Sequence, residues 1–184
     1  MSKKVFLKGT LILACTGLVS RIAGFFYRIF LSHAIGAEGL GLYQLILPLQ
    51  GLMAALSYTG IQSALSRLIA SRLALQEKKE AYFSLVTGIF AAVFFSAVTG
   101  FLLFRHADFF ASTILKAPGT SDLLRLTAAS IPLCAIHSCI DSYYYARKKA
   151  SVPAAVQLSE QAVRIGATYI LYLIFLSEGR PVTA

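Results

Sequence analysis

The sequence carries little charge for its length. Asp, Glu, Lys and Arg make up 14% of its 184 residues, and hydrophobic residues make up 57%. Soluble domains have about 25% charged residues, so this composition excludes an ordinary soluble domain and predicts an integral membrane protein. The 17 basic and 8 acidic residues would suggest nucleic-acid binding in a soluble protein. In a membrane protein the position of the basic residues matters more, and we expect no nucleic-acid partner.

Motifs of enzymes and cofactor sites are also missing. The sequence has no Walker loop, dinucleotide fingerprint, HExxH or GxSxG motif, so we expect neither catalysis nor a cofactor. Cys15, Cys134 and Cys139 lie in apolar stretches without metal-type spacing and are predicted to be buried free thiols. Cys134, His137 and Asp141 share one side of a helix, but one helix rarely completes a coordination shell. We therefore predict no metal site and a local pair between His137 and Asp141.

Five apolar stretches are long enough to span a bilayer, which takes about 20 residues. We predict an all-α polytopic bundle that forms one transmembrane domain over residues 1–184. Its predicted spans are 7–31, 42–72, 81–104, 123–145 and 153–176. The first stretch could be a cleaved signal peptide, but its apolar run continues too far past Lys8, so we expect a mature helix.

The segments between and within these spans carry further signals. We predict a glycine-rich turn at 33–41, a charged loop at 72–80, and a longer loop at 105–122 in which residues 107–115 form a short surface helix. The second stretch is too long for a straight span, and Pro48 and residues 57–60 are its predicted bend points.

In the third stretch small residues recur every fourth position and let another helix approach closely. They are Ser84, Gly88, Ala92, Ser96 and Gly100.

Lysine and arginine are distributed unequally between the two sides of the predicted spans. With the N-terminus inside, nine of them lie on the cytoplasmic side: Lys3, Lys4, Lys8, Arg72, Lys78, Lys79, Arg147, Lys148 and Lys149. Four lie on the other side: Arg105, Lys116, Arg125 and Arg180. Because cytoplasmic loops are enriched in basic residues, this bias predicts a cytoplasmic N-terminus.

The first stretch carries two arginines, Arg21 and Arg28, at membrane depth. They are two helical turns apart and therefore share a face, which otherwise holds small residues. A charge at this depth costs about 2.5–3.5 kcal/mol, although Arg28 lies near enough to the interface to snorkel. A helix-end position or a neutralising carboxylate would explain Arg21 without any function. The functional alternative is a positive wall of a water-filled cavity that accepts an anion.

The fifth stretch has a second polar cluster on one helical face, formed by Gln157, Glu160, Gln161 and Arg164. Glu160 and Arg164 are spaced for a salt bridge. The cluster is either an interfacial ion pair at the cytoplasmic mouth or a gate that contacts a ligand in the inner half of a cavity. Gln62 makes the second stretch polar for a lipid-bathed helix, and we predict that it lines the interior.

Several motifs resemble those of one family. Residues 6–13, 21–25, 35–44 and 157–165 read FLKGTLIL, RIAGF, IGAEGLGLYQ and QLSEQAVRI. These segments are similar to the stage V sporulation protein B and polysaccharide-biosynthesis flippases of the MATE-like superfamily. The resemblance runs from about residue 5 to residue 176. Its most specific parts are the GAEGxGxY motif within residues 35–44 and the EQxxR patch within residues 157–165.

This resemblance implies two helical lobes, together about 12–14 helices, that open alternately to each side of the membrane. A five-span chain would be an incomplete N-terminal lobe that needs the second lobe or a partner chain. The implied function is translocation of an anionic, polyprenyl-diphosphate-linked saccharide of peptidoglycan or another envelope polymer across the bacterial cytoplasmic membrane. Its diphosphate would pair with Arg21, and further with Arg28 and Arg164. Many relatives have Arg-Gly where this chain has Asp141-Ser142, which changes the charge there.

Two other functions stay open. A MATE-type antiporter of small molecules is one, but organic cations would favour carboxylates within the membrane, whereas the first helix offers arginines. A truncated lobe that assembles with partners without transporting is the other. Stability of the five-helix chain as a monomer in detergent would argue against that last alternative.

Overall fold

The computed structural model describes residues 3–177, with side chains from residue 9 onwards. Five long helices make up most of this range: α1 Lys3–Ala54, α2 Gly60–Ala74, α3 Lys78–Arg105, α4 Ser121–Ala146 and α5 Ser151–Ser177. The described range contains no strand. The predicted all-α fold is therefore confirmed. Arg180 and the side chains of Lys3, Lys4 and Lys8, which contribute to the predicted charge bias, lie outside the described residues.

Three helical runs within the described residues are long and apolar enough to cross a membrane: Gly9–Ala74, Lys78–Arg105 and Pro118–Ala146. The first has 66 residues. At about 1.5 Å per residue it is far longer than one bilayer crossing, and it contains the predicted spans 7–31 and 42–72. The predicted spans 81–104 and 123–145 lie in the other two runs. The predicted span 153–176 lies in α5, which is not among the three, because its first half holds the polar cluster.

Helix α1 is interrupted at Gly36, where φ is 74° and ψ is 175°. This left-handed backbone conformation favours glycine because a Cβ atom would be strained there. The predicted turn over 33–41 is wrong in extent, since the residues on both sides of Gly36 are helical. Gly39 and Gly41 keep negative φ angles, so a single residue makes the break.

A π-helical turn, Ala55–Thr59, joins α1 to α2 at the predicted bend of residues 57–60. Ser57 lies inside this turn and is 3% exposed. Its Oγ donates to the carbonyl of Met53 and is hydrogen-bonded to Oγ1 of Thr99 on α3. The irregular turn is thus tied to a neighbouring helix. Pro48, the other predicted bend point, lies inside α1.

The described residues divide into two compact units. One unit combines α1 up to Tyr43 with the chain from Lys148 onwards, including α5; the other is Gln44–Arg147. In the second unit, α2, α3 and α4 pack on each other around buried residues such as Ile69, Leu103 and Leu124. This division describes how the residues pack against each other. It does not test the single transmembrane domain predicted over residues 1–184, which stays a prediction.

The small-residue ridge of α3 is confirmed as a packing surface. Ala92 and Ser96 have no exposed area, and Gly100 is buried. A Cβ atom on Gly100 would lie 2.8 Å from the carbonyl oxygen of Ala128 on α4. A Cβ atom on Gly88 would lie 2.7 Å from Cδ1 of Leu65 on α2. Glycine therefore allows α3 to approach both neighbours closely.

The loops of this unit are shorter and more ordered than the sequence predicts. Residues 75–77 alone separate α2 from α3, and Arg72 Nη1 pairs with Glu77 Oε2 at 2.9 Å. Between α3 and α4 lie helical turns at Ala107–Phe109, Phe110–Ile114 and Pro118–Thr120. The first two confirm a short helix within residues 107–115.

The cysteines are free thiols with three different environments. Cys139 is buried and Cys134 is half-buried, whereas Cys15 is exposed. Burial of all three was expected, and this expectation is confirmed for Cys139, met only in part by Cys134 and wrong for Cys15.

Candidate functional site

Helices α1 and α5 run in the same direction. Four contacts set their register: Gly9 with Ala150, Gly24 with Gln161, Tyr27 with Thr168, and Phe30 with Tyr172. The Oη of Tyr27 and Oγ1 of Thr168 are 3.2 Å apart, and the rings of Phe30 and Tyr172 have centroids 5.5 Å apart. Because residue numbers rise together along both helices, the two helices are parallel.

The arginines of α1 lie to one side of this contact. Viewed from the N-terminus, successive residues of a right-handed helix advance clockwise by about 100°. Taking Tyr27 as the direction of α5, Arg28 is therefore about 100° clockwise and Arg21 about 120° clockwise. Gly17 lies on the same side, and no described atom is within 4 Å of a Cβ atom placed on it. The arginine side of α1 is open at that level.

The charged residues of α5 lie on the opposite rotational side of its own contact. Taking Thr168 as the direction of α1, Arg164 is about 40° anticlockwise and Glu160 about 80° anticlockwise. For two parallel helices that face each other, clockwise on one and anticlockwise on the other point to the same side. We call this shared side the cationic face; its members are Arg21, Arg28, Glu160 and Arg164.

The members of the cationic face also lie at similar heights. The hydrogen bond between Tyr27 and Thr168 joins residues that are 141 positions apart in the chain. Because the helices are parallel, the same offset puts Arg21 of α1 level with residue 162 of α5. At about 1.5 Å per residue, Glu160 and Arg164 are each displaced from Arg21 by about 3 Å along the helix axes. Arg28 is two turns, or about 10 Å, further along α1 than Arg21. Two guanidinium groups and one carboxylate therefore share a short length of one side of this helix pair, and a third guanidinium group lies on the same side two turns away.

All members of the cationic face are exposed. The ion pairs between described residues join Arg72 to Glu77 and Arg125 to Asp108 and Asp122, and His137 lies within ion-pair distance of Asp141, with which it forms an ion pair only when protonated. None involves an arginine of the cationic face, so the predicted Glu160–Arg164 salt bridge is not among them. Within the described part of the chain, no carboxylate within ion-pair distance neutralises Arg21.

The predicted glutamines occupy three different positions. Gln161 is half-buried, and its Nε2 would lie 3.8 Å from a Cβ atom on Gly24, so it belongs to the contact between α1 and α5. Gln157 is exposed near that contact. Gln62 is half-buried in the other unit, where its backbone carbonyl accepts a hydrogen bond of 3.1 Å from Ser142 Oγ. Six of the seven predicted site residues thus fall in one unit, and Gln62 does not.

The residues that set the register were not predicted from the sequence. Tyr27 directly precedes Arg28, and Thr168 follows Arg164 by one turn, with its Oγ1 donating to the Arg164 carbonyl at 2.9 Å. A hydroxyl one turn from a membrane arginine was the available signal. It could not identify a partner on a helix more than a hundred positions away.

The polar cluster of α4 is a local pair. His137 Nε2 lies 3.9 Å from Asp141 Oδ2, which confirms the predicted pairing. In the described residues no group of three or more His, Cys, Asp or Glu is arranged to hold a metal ion.

Comparisons with known proteins match nearly the whole chain. The family model described as "Polysaccharide biosynthesis protein" matches residues 6–183. Stage V sporulation protein B of Bacillus subtilis (strain 168) is 34% identical over 184 residues, which cover 97% of this chain and 35% of that protein. Lipid II flippase MurJ of the same organism is 24% identical over 187 residues, which cover 95% of this chain and 34% of that protein. The chain thus spans about a third of the length of these curated relatives. No solved structure matches it significantly.

Proposed function

Because this chain belongs to the polysaccharide biosynthesis protein family, we propose that it acts in flipping a polyprenyl-diphosphate-linked saccharide across the bacterial cytoplasmic membrane. The relative named as a lipid II flippase supports transport of a lipid-linked precursor. A precursor of peptidoglycan or another envelope polysaccharide is the proposed substrate. No covalent step is needed, because the cargo only changes sides.

The cationic face carries this proposal. Arg21, Arg28 and Arg164 contribute three positive charges and Glu160 removes one, which leaves a net positive surface for an anionic diphosphate. Guanidinium groups form paired, charge-assisted hydrogen bonds to phosphate oxygens. A site beside a helix pair lets the lipid tail stay in the bilayer while the headgroup enters a polar cavity.

We assign different roles to the predicted site residues. Arg21 is the central diphosphate ligand, since Glu160 and Arg164 lie within about one turn of its level. Arg28 extends the binding surface along α1. Glu160 supplies a counter-charge that limits how tightly the anion is held. Among the glutamines, Gln157, which is exposed near the contact between α1 and α5, is proposed to bind saccharide hydroxyls.

The direction of the helices supports a cytoplasmic N-terminus. A Cβ atom on Gly9 would lie 3.9 Å from Cβ of Ala150, so α1 and α5 start on the same side. Lys148 and Lys149 immediately precede this point. Basic residues at the start of both parallel helices fit the enrichment of lysine and arginine on the cytoplasmic side.

A second lobe is part of the proposal. Alternating access requires two bodies that move against each other. The chain spans about a third of its curated relatives. The proposed second body is another part of the protein or a partner chain. The alternative of a small-molecule antiporter has less support, because a cationic cargo would be repelled by the arginines.

Binding of a diphosphate lipid tests this proposal without requiring transport. Purified protein in detergent is titrated with undecaprenyl diphosphate, and affinity is measured by microscale thermophoresis. A lost hydrogen bond between charged groups is worth about 1.5–3 kcal/mol, so Arg21→Ala should weaken binding by about ten- to a hundredfold. Arg21→Lys should retain part of the affinity, because lysine keeps the charge but loses the paired geometry.

Arg72→Ala is the matched control. It also removes an arginine, but one that pairs with Glu77 at the end of α2. Unchanged affinity is expected for this variant. Equal losses for Arg21→Ala and Arg72→Ala, or no loss for either, would contradict the proposed site.

A further inference from the structure

A groove of about 250 Å³ runs between α3 and α4. Its walls are formed by Ala97, Phe101 and Phe104 of α3 and by Ala129 and Pro132 of α4. The side chains that line it are only apolar ones, so it offers no side-chain hydrogen bond. Both helices belong to runs long and apolar enough to cross a membrane. Hydrocarbon is the chemistry that this groove fits.

Close backbone approach forms the floor of the groove. Gly100 lies against the Ala128 carbonyl, and Pro132 lacks the N–H group that would otherwise bond that carbonyl within α4. The aromatic side chains rise on one side of this floor. Phe101 is 67% exposed and Phe104 is 50% exposed.

Charges of both signs lie at one end of the groove. Arg105 follows Phe101 by four residues and therefore extends the same face of α3 by one turn. Asp122 precedes Ala129 by seven residues, or two turns, on α4. Arg125 Nη1 pairs with Asp122 at 3.0 Å and its Nη2 with Asp108 at 2.9 Å. The side chain of Asp108 is 72% exposed, and the side chain of Asp122 is 87% exposed.

We propose that this groove is a binding site for phosphatidylethanolamine. One acyl chain lies along the phenylalanine wall, the phosphate contacts Arg105, and the ammonium group contacts Asp108 and Asp122. This arrangement matches a zwitterionic headgroup that has N–H donors. Arg125 already pairs with both carboxylates, and their exposed oxygens can accept further N–H groups. Phosphatidylglycerol has no ammonium group to occupy these oxygens, and phosphatidylcholine has an ammonium group without N–H donors. With the N-terminus in the cytoplasm, the site faces the outer leaflet.

Photolabelling of the full chain in lipid nanodiscs tests this site. The nanodiscs contain phosphatidylethanolamine and phosphatidylglycerol, with a photoreactive diazirine on the acyl chain of one lipid at a time. Labelled residues are mapped by mass spectrometry. Ala97, Phe101 and Phe104 should take at least about fivefold more phosphatidylethanolamine label than Phe95 and Leu102. The last two are exposed residues of the same helix and lie about 120° and 100° around it from Phe101, away from the groove.

Matched variants separate the acyl groove from general lipid contact. Ala129→Phe should fill the groove and abolish the excess label, whereas Leu102→Phe adds bulk on the opposite side of α3 and should leave it unchanged. If Ala129→Phe fails to fold, Ala97→Phe fills the groove from the other wall. Retention of phosphatidylethanolamine in native mass spectrometry gives a second readout for each variant.

Headgroup variants test the charge match. Arg105→Gln should reduce labelling by both lipids, while Asp122→Asn should reduce only the preference for phosphatidylethanolamine.

Equal labelling of all exposed phenylalanines would show that lipids contact this surface without a specific site, and it would overturn the proposal. Absence of label from the groove, because a second copy or another protein segment covers it, would overturn it as well. So would equal labelling by the two lipids.

Discussion

Gly100 in the unit of α2, α3 and α4 and Gly17 in the unit of α1 and α5 are both helical glycines, but their surroundings are opposite. A Cβ atom on Gly100 would meet a backbone carbonyl at 2.8 Å, whereas one on Gly17 would have no described atom within 4 Å. The first glycine is needed for contact between helices. The second leaves one side of a helix open.

Polar side chains differ between the two units in the same way. In the unit of α2, α3 and α4, the side chains of Ser57, Ser96 and Ser142 are buried and bond to neighbouring backbone or hydroxyl groups. In the unit of α1 and α5, Arg21 and Arg164 are exposed and form no ion pair with a described carboxylate. One unit is therefore a packed scaffold, and the other carries the proposed binding surface. Three experiments test this difference between the units.

The largest effect is expected from glycine substitutions in the scaffold. Gly100→Ala should lower the free energy of unfolding in detergent by about 1–3 kcal/mol, because the methyl group is forced against backbone. Gly88→Ala should cost less, since Leu65 is a flexible side chain that can move. Thermal and denaturant unfolding of both variants measures the difference.

Gly60→Ala is the control for this series. Gly60 has φ −64° and no described atom within 4 Å of an added Cβ atom. Alanine should therefore stabilise the protein by about 0.5–1 kcal/mol through its higher helix propensity. The same sign of change at Gly100 and Gly60 would show that close packing does not distinguish them.

A smaller effect is expected at the π-helical turn. Ser57→Ala and Thr99→Val remove the hydroxyl contact between this turn and α3, and such bonds are worth about 0.6 kcal/mol on average and at most about 1.7 within membranes. A double-mutant cycle should give a coupling energy in this range. Ser84→Ala paired with Thr99→Val should show none, because Ser84 lies about four turns from Thr99 along α3 and bonds to the Glu80 carbonyl instead. A coupling energy of zero between Ser57 and Thr99 would mean that this contact does not stabilise the packing of the π-helical turn on α3.

The sequence predicted those features that depend on local periodicity. The four-residue spacing from Gly88 to Gly100 correctly indicated a packing ridge, and residues 57–60 correctly marked an irregular turn. The extent of the break at Gly36 was mispredicted, because clustered glycines suggest a turn even when only one adopts a positive φ angle. Partners across long sequence separations could not be read from the pattern.

The candidate site shows the same limit. Spacing alone placed Arg21 with Arg28 on one face and Glu160 with Arg164 on another. It could not show that α1 and α5 are parallel neighbours, because the register depends on Tyr27 and Thr168. The sequence therefore predicted the components of the cationic face without their arrangement.

Spin-label distances test the cationic face most directly. In a variant whose three cysteines are replaced by alanine, nitroxides are attached at Arg21→Cys and Arg164→Cys and compared with a pair at Phe26→Cys and Arg164→Cys. Phe26 lies about 100° anticlockwise from Tyr27, on the opposite side of the helix pair. The distance should be shorter by about 5 Å for the Arg21 pair, since those labels project to the same side of the helix pair. An equal or longer distance for the Arg21 pair would contradict a shared cationic face.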